Sequence, residues 1–198
     1  MKELDLLRKI KSVSFATVED GIPQVRIIDV MLIENDKLYF TTARGKAFYR
    51  QIMHNKYVAI VGMDANYKTI RVSGPVEMAD RTYVDKIFEE NPMMNDLYAG
   101  KKRDILDAFC LYKGVGEVFD LSTTPPFRER FSFGGELVRP VGFVITADCI
   151  ACGICKEGCP EGAISEGKIY KIDENHCIEC GRCYENCPHN AIKQPIGF

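Results

Sequence analysis

The stretch CIACGICKEGCPEGAI, residues 149–164, returns 28 residues later as CIECGRCYENCPHNAI, residues 177–192. Ten of the sixteen positions are identical, and each copy has the form C-x2-C-x2-C-x3-C-P. Three thiolates at this close spacing can hold three corners of a cubane cluster, while the fourth, beyond a short turn, points away from them. Eight of the nine cysteines lie in these two copies, which favours metal binding over a disulfide framework.

The repeat resembles the bacterial two-cluster [4Fe-4S] ferredoxins over about residues 141–196, including both Cys-Pro pairs and the Ala-Ile pair after each. In those ferredoxins the fourth cysteine of each run ligates the other cluster. We therefore expect two [4Fe-4S] clusters in this segment. The expected ligand sets are Cys149, Cys152, Cys155 and Cys187 for one cluster and Cys177, Cys180, Cys183 and Cys159 for the other. The resemblance implies one-electron transfer without bond-making chemistry.

Zinc is the alternative metal, because paired C-x2-C units also build zinc ribbons. Zinc sites normally use two isolated pairs, whereas each copy here has three evenly spaced thiols before a Cys-Pro, which favours iron–sulfur. His176 and His189 flank the motifs, and we expect them to be surface residues or donors to sulfur and not ligands. Gly153 and Gly181 lie between ligands, where the backbone must turn tightly.

The whole chain of 198 residues is 46% hydrophobic and 27% charged, which is typical of a globular protein and excludes disorder as its main state. Its formal net charge of -2 leaves no basic excess for phosphates, so we expect no nucleic-acid partner. No apolar run approaches the roughly 20 residues that cross a bilayer, so we expect no membrane span. The start MKELDLLRKIKS is amphipathic and not secretory, which predicts a cytoplasmic protein.

A shift in composition predicts two domains. Residues 1–140 carry 21 basic and 20 acidic side chains, whereas residues 141–198 carry 5 and 8. The stretch GGELVRPVG, 134–142, contains Gly-Gly and Pro and is typical of a connector. We therefore expect one domain over residues 1–138 and a second over residues 139–198.

The first domain has the pattern of a mostly β structure. A helix is predicted over about 2–12, followed by hairpin strands within 14–42, where Asp20-Gly21 and Asn35-Asp36 supply turn residues. The further expected elements are a helix over 45–55, strands over 57–63 and 68–78, a helical stretch over 82–109 interrupted at Asn91-Pro92, and strands over 109–122 and 128–133. Six or seven hairpin-linked strands fit a closed or nearly closed antiparallel barrel. The expected fold class is mainly β with α: a β-barrel, then a small α+β ferredoxin-like domain.

Basic and hydroxyl side chains gather around the predicted start of the second helix. Thr41 and Thr42 end the strand LYFTT, Lys46 opens the helix, and Arg26 lies in QVRIIDV. A helix N-terminus beside such groups can bind phosphate. The alternative is a solvated lysine and two ordinary strand threonines, and spacing alone leaves both open.

The order of elements resembles the pyridoxamine 5′-phosphate oxidase-like, FMN-binding split-barrel superfamily over about residues 10–133. The similar stretches are VRIIDV, LYFTTARGKAFYRQIMHNKYVAIVG, TIRVSGPVEM and GEVFDLS. The resemblance implies a split β-barrel, bound FMN and a homodimer with flavin sites at the subunit interface. It implies contacts of Arg26 and Lys46 with the FMN phosphate, assisted by Thr41 or Thr42, backbone groups of Ile27, Ile28 and Asp29 facing the isoalloxazine, and second-tier contacts from Thr69 and Arg71.

The resemblance has one clear departure. RERFSFGGE, residues 128–136, leads into the cysteine repeat where the vitamin B6 oxidases carry a substrate-binding segment, so we expect no vitamin B6 oxidation. The sequence indicates no catalytic acid or base. His54 is expected near the C-terminal end of the second helix, and Cys110 is expected as a buried thiol.

The two cofactors together predict a function. FMN takes up two electrons and releases them singly, and each cluster carries one electron. We therefore expect an electron-transfer oxidoreductase that passes electrons between two [4Fe-4S] clusters and a barrel-bound FMN and acts on a redox partner protein or a small reducible substrate. Oxygen-sensitive clusters favour an anaerobic host. The alternatives are a ferredoxin-type carrier whose barrel is a flavin-free dimerisation or docking scaffold, and a barrel that handles haem or another tetrapyrrole.

Overall fold

The computed structural model describes residues 1–138 and 142–194. The chain forms two compact units. The first comprises Met1–Val118 and Arg130–Leu137, and the second comprises Phe119–Glu129 and Val138–Phe198. The expected connector, 134–142, falls partly on residues 139–141, which lie outside the described residues. The expected domain limits at 138 and 139 therefore stay a prediction.

The N-terminal part of the chain contains four short α-helices and a nine-stranded sheet, counted over the described residues. The helices are α1 (Lys2–Ile10), α2 (Ala47–Asn55), α3 (Thr82–Glu90) and α4 (Met93–Leu97), followed by a 3₁₀ helix at Gly100–Ile105. The strands are β1 (Ser12–Glu19), β2 (Ile22–Asp29), β3 (Leu32–Glu34), β4 (Lys37–Ala43), β5 (Tyr57–Met63), β6 (Lys68–Met78), β7 (Leu106–Leu111), β8 (Gly114–Asp120) and β9 (Phe127–Phe133).

The strands follow the order β2-β1-β5-β6-β7-β4-β3, and β8 pairs with β6 and β9. The long strand β6 pairs with β5 through Pro75 and with β7 from Val76 onward, so it belongs to both halves of the barrel. Glycine lets β6 and β8 approach closely, because a Cβ on Gly74 would overlap the carbonyl oxygen of Lys113, and one on Gly114 would overlap that of Ser73. This is the split-barrel architecture, and the expected fold class is confirmed.

Two apolar clusters hold the sheet. The larger lies between the strands, α1 and α2, where the rings of Phe15 and Phe40 meet edge to face at 4.9 Å and Phe48 of α2 packs on both. The smaller lies on the other face of β4 and β7 beneath α3 and α4, around Ile87 and Leu106. The clusters place α2 and β4, which carry several candidate site residues, against a rigid aromatic core.

Two details of the sequence prediction are wrong. The stretch from Leu106 to Phe109 is not helical but forms the start of β7, and the single strand expected over 109–122 is two strands, β7 and β8. The sheet therefore has nine strands and not six or seven. The segment LDAFCL, 106–111, is buried along nearly its whole length, and such a continuous apolar run fits a helix or a central strand equally well. Pairing with β4 on one side and β6 on the other decides for strand.

The cysteine repeat folds into two similar halves. Its elements are β10 (Val144–Ile145), α5 (Ile154–Glu157), β11 (Ile164–Ser165), β12 (Lys171–Ile172), α6 (Arg182–Glu185) and β13 (Ile192–Lys193). β10 pairs with β13 and β11 pairs with β12, so the first strand of the repeat region closes on the last. Few side chains are buried in the repeat, chiefly Phe143, Ile164 and Ile192. No helix within the described residues is long and apolar enough to cross a membrane.

Candidate iron–sulfur and flavin sites

The first of two cysteine-lined cavities is built around α5. It is lined by Cys149, Cys152, Cys155 and Cys187, with Tyr170 and His189 at its wall. Its volume, counting the part open to solvent, is about 360 Å³. The fourth cysteine comes from the other copy of the repeat, so the structure brings together the four residues expected as one ligand set.

The second cavity is built around α6 and mirrors the first. It is lined by Cys159, Cys177, Cys180 and Cys183, together with Phe143 and Arg182, and measures about 350 Å³ on the same basis. Again three cysteines come from one copy and the fourth from the other. The remaining flanking histidine, His176, pairs with Asp173 at 2.7 Å, and its hydrogen bond lowers the pKa of that carboxyl.

Backbone N–H groups point at sulfur in a pattern that repeats with the sequence. Ala151 donates to Cys149 Sγ at 3.4 Å, and Glu179 donates to Cys177 Sγ at the same distance. The fourth cysteines, Cys159 and Cys187, accept N–H groups from the alanines four residues later at 3.3 and 3.4 Å. N–H donors of this kind stabilise charged sulfur and raise the reduction potential of a bound cluster.

Six of the eight thiols are partly buried, and only Cys152 and Cys180 are exposed. Burial raises the pKa of Cys155 and Cys177, and it raises the pKa of Cys183 to about 11, with the thiol of Cys177 adding to the effect. Thiols with raised pKa values keep their protons at neutral pH until a metal displaces them. Within residues 1–138 and 142–194, no three His, Cys, Asp or Glu side chains close around a single metal ion. Four sulfurs spread around a cavity, with N–H donors behind them, fit a cubane cluster.

The candidate phosphate residue Arg26 lies on the inner face of β2. Its guanidinium donates to Thr17 Oγ1 at 2.6 Å and to Gln51 Oε1 at 2.7 Å, and it stacks 4.7 Å from the ring centre of Phe48. Burial lowers the pKa of Arg26, and the carboxylate of Glu19 opposes that effect. An arginine has five N–H donors, so Arg26 retains capacity for an anion beside these two acceptors.

The start of α2 is a suitable place for an anion. Lys46 is its N-cap residue and is exposed, no side chain caps the first turn, and that turn holds no acidic residue. The unsatisfied N–H groups of such a turn attract negative charge. Thr42, at the end of β4, is 2% exposed, and its hydroxyl is buried without a hydrogen-bond partner among the described residues. Thr41 lies on the opposite face of β4, in register with Ala108.

Other expected flavin contacts lie on the outer face of the sheet. Strand register places Ile27 beside Ser14, then Val61, then Arg71, so Ile27 and Arg71 share that face three strands apart. Of the other predicted contacts, Ile28 packs inward on the core. Asp29 and Thr69 lie on the outer face, because they alternate along their strands with Ile28 and Ile70. Asp29 also accepts a hydrogen bond from Ser12. β2 is the terminal strand of the described sheet, so one edge of its backbone faces no neighbouring strand.

A buried carboxylate holds Arg71. Glu117 is 5% exposed, and its oxygens lie 3.2 Å from Arg71 Nη2 and 3.3 Å from Arg130 Nε. The residues predicted from the sequence do not include Glu117, Thr17 or Gln51. The signal for Gln51 was a polar residue on the apolar stripe that Phe48 and Ile52 define on α2. No comparable pattern marked Glu117.

Two single residues were placed correctly by the sequence. Cys110 lies in β7 at 3% exposure, and burial raises the pKa of its thiol to about 11. His54 is exposed in the last turn of α2, which ends at Asn55. Neither residue lines either cysteine-lined cavity.

The fold and these sites define a class of protein in which one chain contains a split β-barrel and a cysteine-rich module with two cavities. The family model described as pyridoxamine 5′-phosphate oxidase matches residues 2–111, more than half of the chain, and the chain belongs to that family. The model described as a 4Fe-4S binding domain matches residues 143–165 and 170–193. The protein therefore combines a member of an oxidase family with a 4Fe-4S domain, which supports a redox function in electron transfer.

Individual proteins are similar to each of the two parts of the chain. A ferredoxin from Butyribacterium methylotrophicum is 62% identical over 32 residues, which are 16% of this chain and 58% of that ferredoxin. A NimC/NimA family protein from Clostridium acetobutylicum has a TM-score of 0.59 and 26% identity, covering 67% of this chain and 90% of its own. A protein from the same organism, related to general stress protein 26 of Bacillus subtilis, has a TM-score of 0.51 and 15% identity over 67% and 91%, which shows the fold alone.

Proposed function

We propose that this protein is a flavin and iron–sulfur oxidoreductase in which FMN, bound by the barrel, exchanges electrons with two [4Fe-4S] clusters. The observation that carries the proposal is the presence, in one chain, of a pyridoxamine 5′-phosphate oxidase family domain and two cavities of four cysteines each. FMN accepts two electrons together and gives them up singly, whereas each cluster carries one. The pair of cofactors can therefore connect two-electron chemistry with one-electron flow.

The cysteine residues hold the clusters crosswise. Cys187 completes the set of Cys149, Cys152 and Cys155, and Cys159 completes the set of Cys177, Cys180 and Cys183. This exchange joins the two copies of the repeat covalently through iron. It replaces much of the hydrophobic core that so short a segment lacks.

Arg26, Lys46 and Thr42 are proposed to bind the FMN phosphate. The support is the uncapped start of α2 beside Lys46, the buried unpaired hydroxyl of Thr42 and the spare donors of Arg26. The isoalloxazine is proposed to lie along the open edge of β2, where backbone groups of Ile27, Ile28 and Asp29 supply hydrogen bonds. Residues of the inner face orient the phosphate, and the apolar edge limits access of water to the ring.

The outer face of the sheet supports a proposed homodimer. Val25 and Ile27 of β2 are 67% and 63% exposed, and Val61 and Met63 of β5 continue the same face. An exposed apolar face of this extent marks an interaction surface. Two copies joined there bring the outer-face residue Arg71 of one copy toward the β2 edge of the other, which would unite flavin contacts that one copy divides between two faces.

The partner is proposed to be a redox protein with a basic surface or a small reducible molecule. Residues 141–198 carry 5 basic and 8 acidic side chains, and an oxidised cubane with four thiolates adds further negative charge. Such a surface attracts a basic patch and makes association weaken as salt increases. A reducing, cytoplasmic compartment is proposed, because clusters of this kind are sensitive to oxygen.

The test is purification without oxygen, followed by iron, sulfide and flavin analysis and an optical and EPR redox titration. The expected result is eight iron and eight sulfide per chain, one FMN released on heating, and separable cluster signals. Clusters without any flavin would instead support the second candidate, a ferredoxin-type carrier with a flavin-free barrel. The observation that favours this second candidate is the similarity of the cysteine repeat to a ferredoxin. Zinc in place of iron and sulfide would overturn both.

A further inference from the structure

The two halves of the cysteine repeat differ at six of their sixteen positions, and one of these differences lies next to the first cysteine of each run. Ala151 and Glu179 are equivalent residues, both have φ of 56°, and each donates its N–H to the first cysteine of its run. The same backbone site therefore carries a methyl group in the first half and a carboxylate in the second. A carboxylate at this place disfavours reduction of the neighbouring cluster, because reduction adds a negative charge.

The carboxylate of Glu179 forms an ion pair with a buried arginine, Arg128. Arg128 Nη1 lies 3.0 Å from Glu179 Oε1, and the side chain of Arg128 is 9% exposed while that of Glu179 is 25% exposed. The guanidinium carbon stacks 5.0 Å from the ring centre of Phe119, and the Arg128 N–H donates to the carbonyl oxygen of Asn175 at 2.7 Å. Arg128 is thus fixed at both its backbone and its side chain.

The ion pair lies next to the sulfur, because the backbone N–H of Glu179 donates to Cys177 Sγ at 3.4 Å. All these residues belong to the second compact unit, which includes the segment Phe119–Glu129. The domain limits predicted from the sequence leave Arg128 outside the ferredoxin-like domain.

We propose that Arg128 is a positioning residue that acts through Glu179 to keep the reduction potential of the second-repeat cluster from falling. The second-repeat cluster is the one held by Cys177, Cys180, Cys183 and Cys159. Its one-electron reduction adds a negative charge beside Glu179, and the cation of Arg128 offsets the repulsion. The cluster of the first repeat, with Ala151 at the equivalent place, needs no such cation. The inference rests on the cluster-binding part of the proposed function.

The experiment is an anaerobic EPR redox titration of the full-length protein with and without the substitution Arg128→Met. We expect the reduction equilibrium of the second-repeat cluster to shift about tenfold toward the oxidised form, which lowers its reduction potential by about 59 mV for a one-electron couple. The reduction potential of the first-repeat cluster is expected to stay unchanged. Signals are assigned from Cys159→Ser and Cys187→Ser. Arg128→Lys keeps the charge and is expected to retain most of the wild-type potential.

The double variant Arg128→Met with Glu179→Ala carries alanine where the first repeat has Ala151, and it is expected to return the potential toward the wild-type value. A purely structural role for Arg128 would lower thermal stability and leave the potentials equal, or would shift both clusters together, and either result overturns the proposal. If Arg128→Met does not assemble clusters, Glu179→Gln decides instead: a raised potential of the second-repeat cluster supports the proposal and an unchanged one overturns it. A wild-type protein without iron and sulfide contradicts the proposed function itself.

Discussion

Arg26 of β2 donates to the side-chain oxygen of Gln51 of α2 at 2.7 Å, and Gln51 donates in turn to Glu19 at 2.9 Å. Thr17 accepts a second bond from Arg26 and donates to the same oxygen of Gln51 at 2.6 Å. Gln51 is only 3% exposed. This buried network ties the helix whose start is proposed to bind phosphate to the strand whose edge is proposed to meet the flavin ring.

Replacing Gln51 by Leu should loosen both parts of the flavin site. The substitution leaves Arg26 and Thr17 without a shared buried acceptor, so we expect a loss of about 1–3 kcal/mol in the free energy of unfolding and weaker FMN binding. Denaturation of the flavin-free protein and FMN titration measure the two effects. Gln51→Glu keeps the acceptor and should retain more of the affinity. Unchanged FMN affinity in Gln51→Leu would contradict the link between the network and the site.

Lys46→Ala tests the phosphate contact directly. Lys46 is exposed at the start of α2, so its removal should not disturb the fold, and a lost charge-assisted hydrogen bond costs about 1.5–3 kcal/mol. FMN affinity should therefore fall roughly ten- to a hundredfold. Lys101→Ala, an exposed lysine in the 3₁₀ helix, is the matched control and should bind FMN as the native protein does. Equal affinities in the two variants would remove Lys46 from the site.

The fold was largely predictable because local patterns agree with the tertiary structure. β5 and β6 coincide with their predicted bounds, since Val58 and Ile60 alternate with exposed neighbours as a half-buried strand requires. β7 was assigned wrongly at Leu106–Phe109, because a strand buried on both faces loses that alternation. Its identity depends on pairing with β4 and β6, which are more than 25 residues away in sequence.

The candidate sites differ in the same way. The cysteine sets that line the two cavities could be predicted, because covalent ligation imposes fixed spacings within a short segment. Gln51 and Glu117 could not be predicted, because the role of each depends on contacts with distant elements. Gln51 contacts Arg26, and Glu117 contacts Arg71 and Arg130. Long-range polar contacts of this kind leave no periodic trace in one sequence.

The proposed crosswise ligand sets predict selective loss of one cluster in each single cysteine variant. In Cys159→Ser the cluster of Cys177, Cys180 and Cys183 should be lost or altered, and the other should persist, because Cys159 lines only the second of the two cavities described. Cys187→Ser is the reciprocal control and should damage the first cluster. EPR spectra of the reduced proteins, with iron analysis, report both outcomes. Loss of the first-repeat signal in Cys159→Ser would show that each run ligates its own cluster.

The outer face of β2 predicts the oligomeric state. Val25 is 67% exposed beside other apolar side chains, so Val25→Asp should place a charge in the proposed dimer interface and shift the protein toward monomer. Leu97→Asp, at a residue that is 59% exposed on α4, is the matched control and should leave the mass unchanged. Light scattering after size-exclusion chromatography measures the mass. A native protein that is already monomeric, or a Val25→Asp variant that stays dimeric, would argue against this interface.

Glu117 separates a stabilising contact from a flavin contact. Its carboxylate is buried between Arg130, whose side chain is 8% exposed, and Arg71, whose side chain is 48% exposed. Glu117→Ala removes the negative charge facing a buried guanidinium, so we expect a loss of about 3–5 kcal/mol in the free energy of unfolding. Arg71→Ala leaves Glu117 paired with Arg130 and should cost less than about 1 kcal/mol, because exposed ion pairs contribute little. Circular dichroism during urea denaturation gives both values. If Arg71→Ala weakens FMN binding while its free energy of unfolding stays nearly native, Arg71 is a flavin contact. If Arg71→Ala and Glu117→Ala lose equal free energy of unfolding, the role of Arg71 is instead to stabilise the barrel.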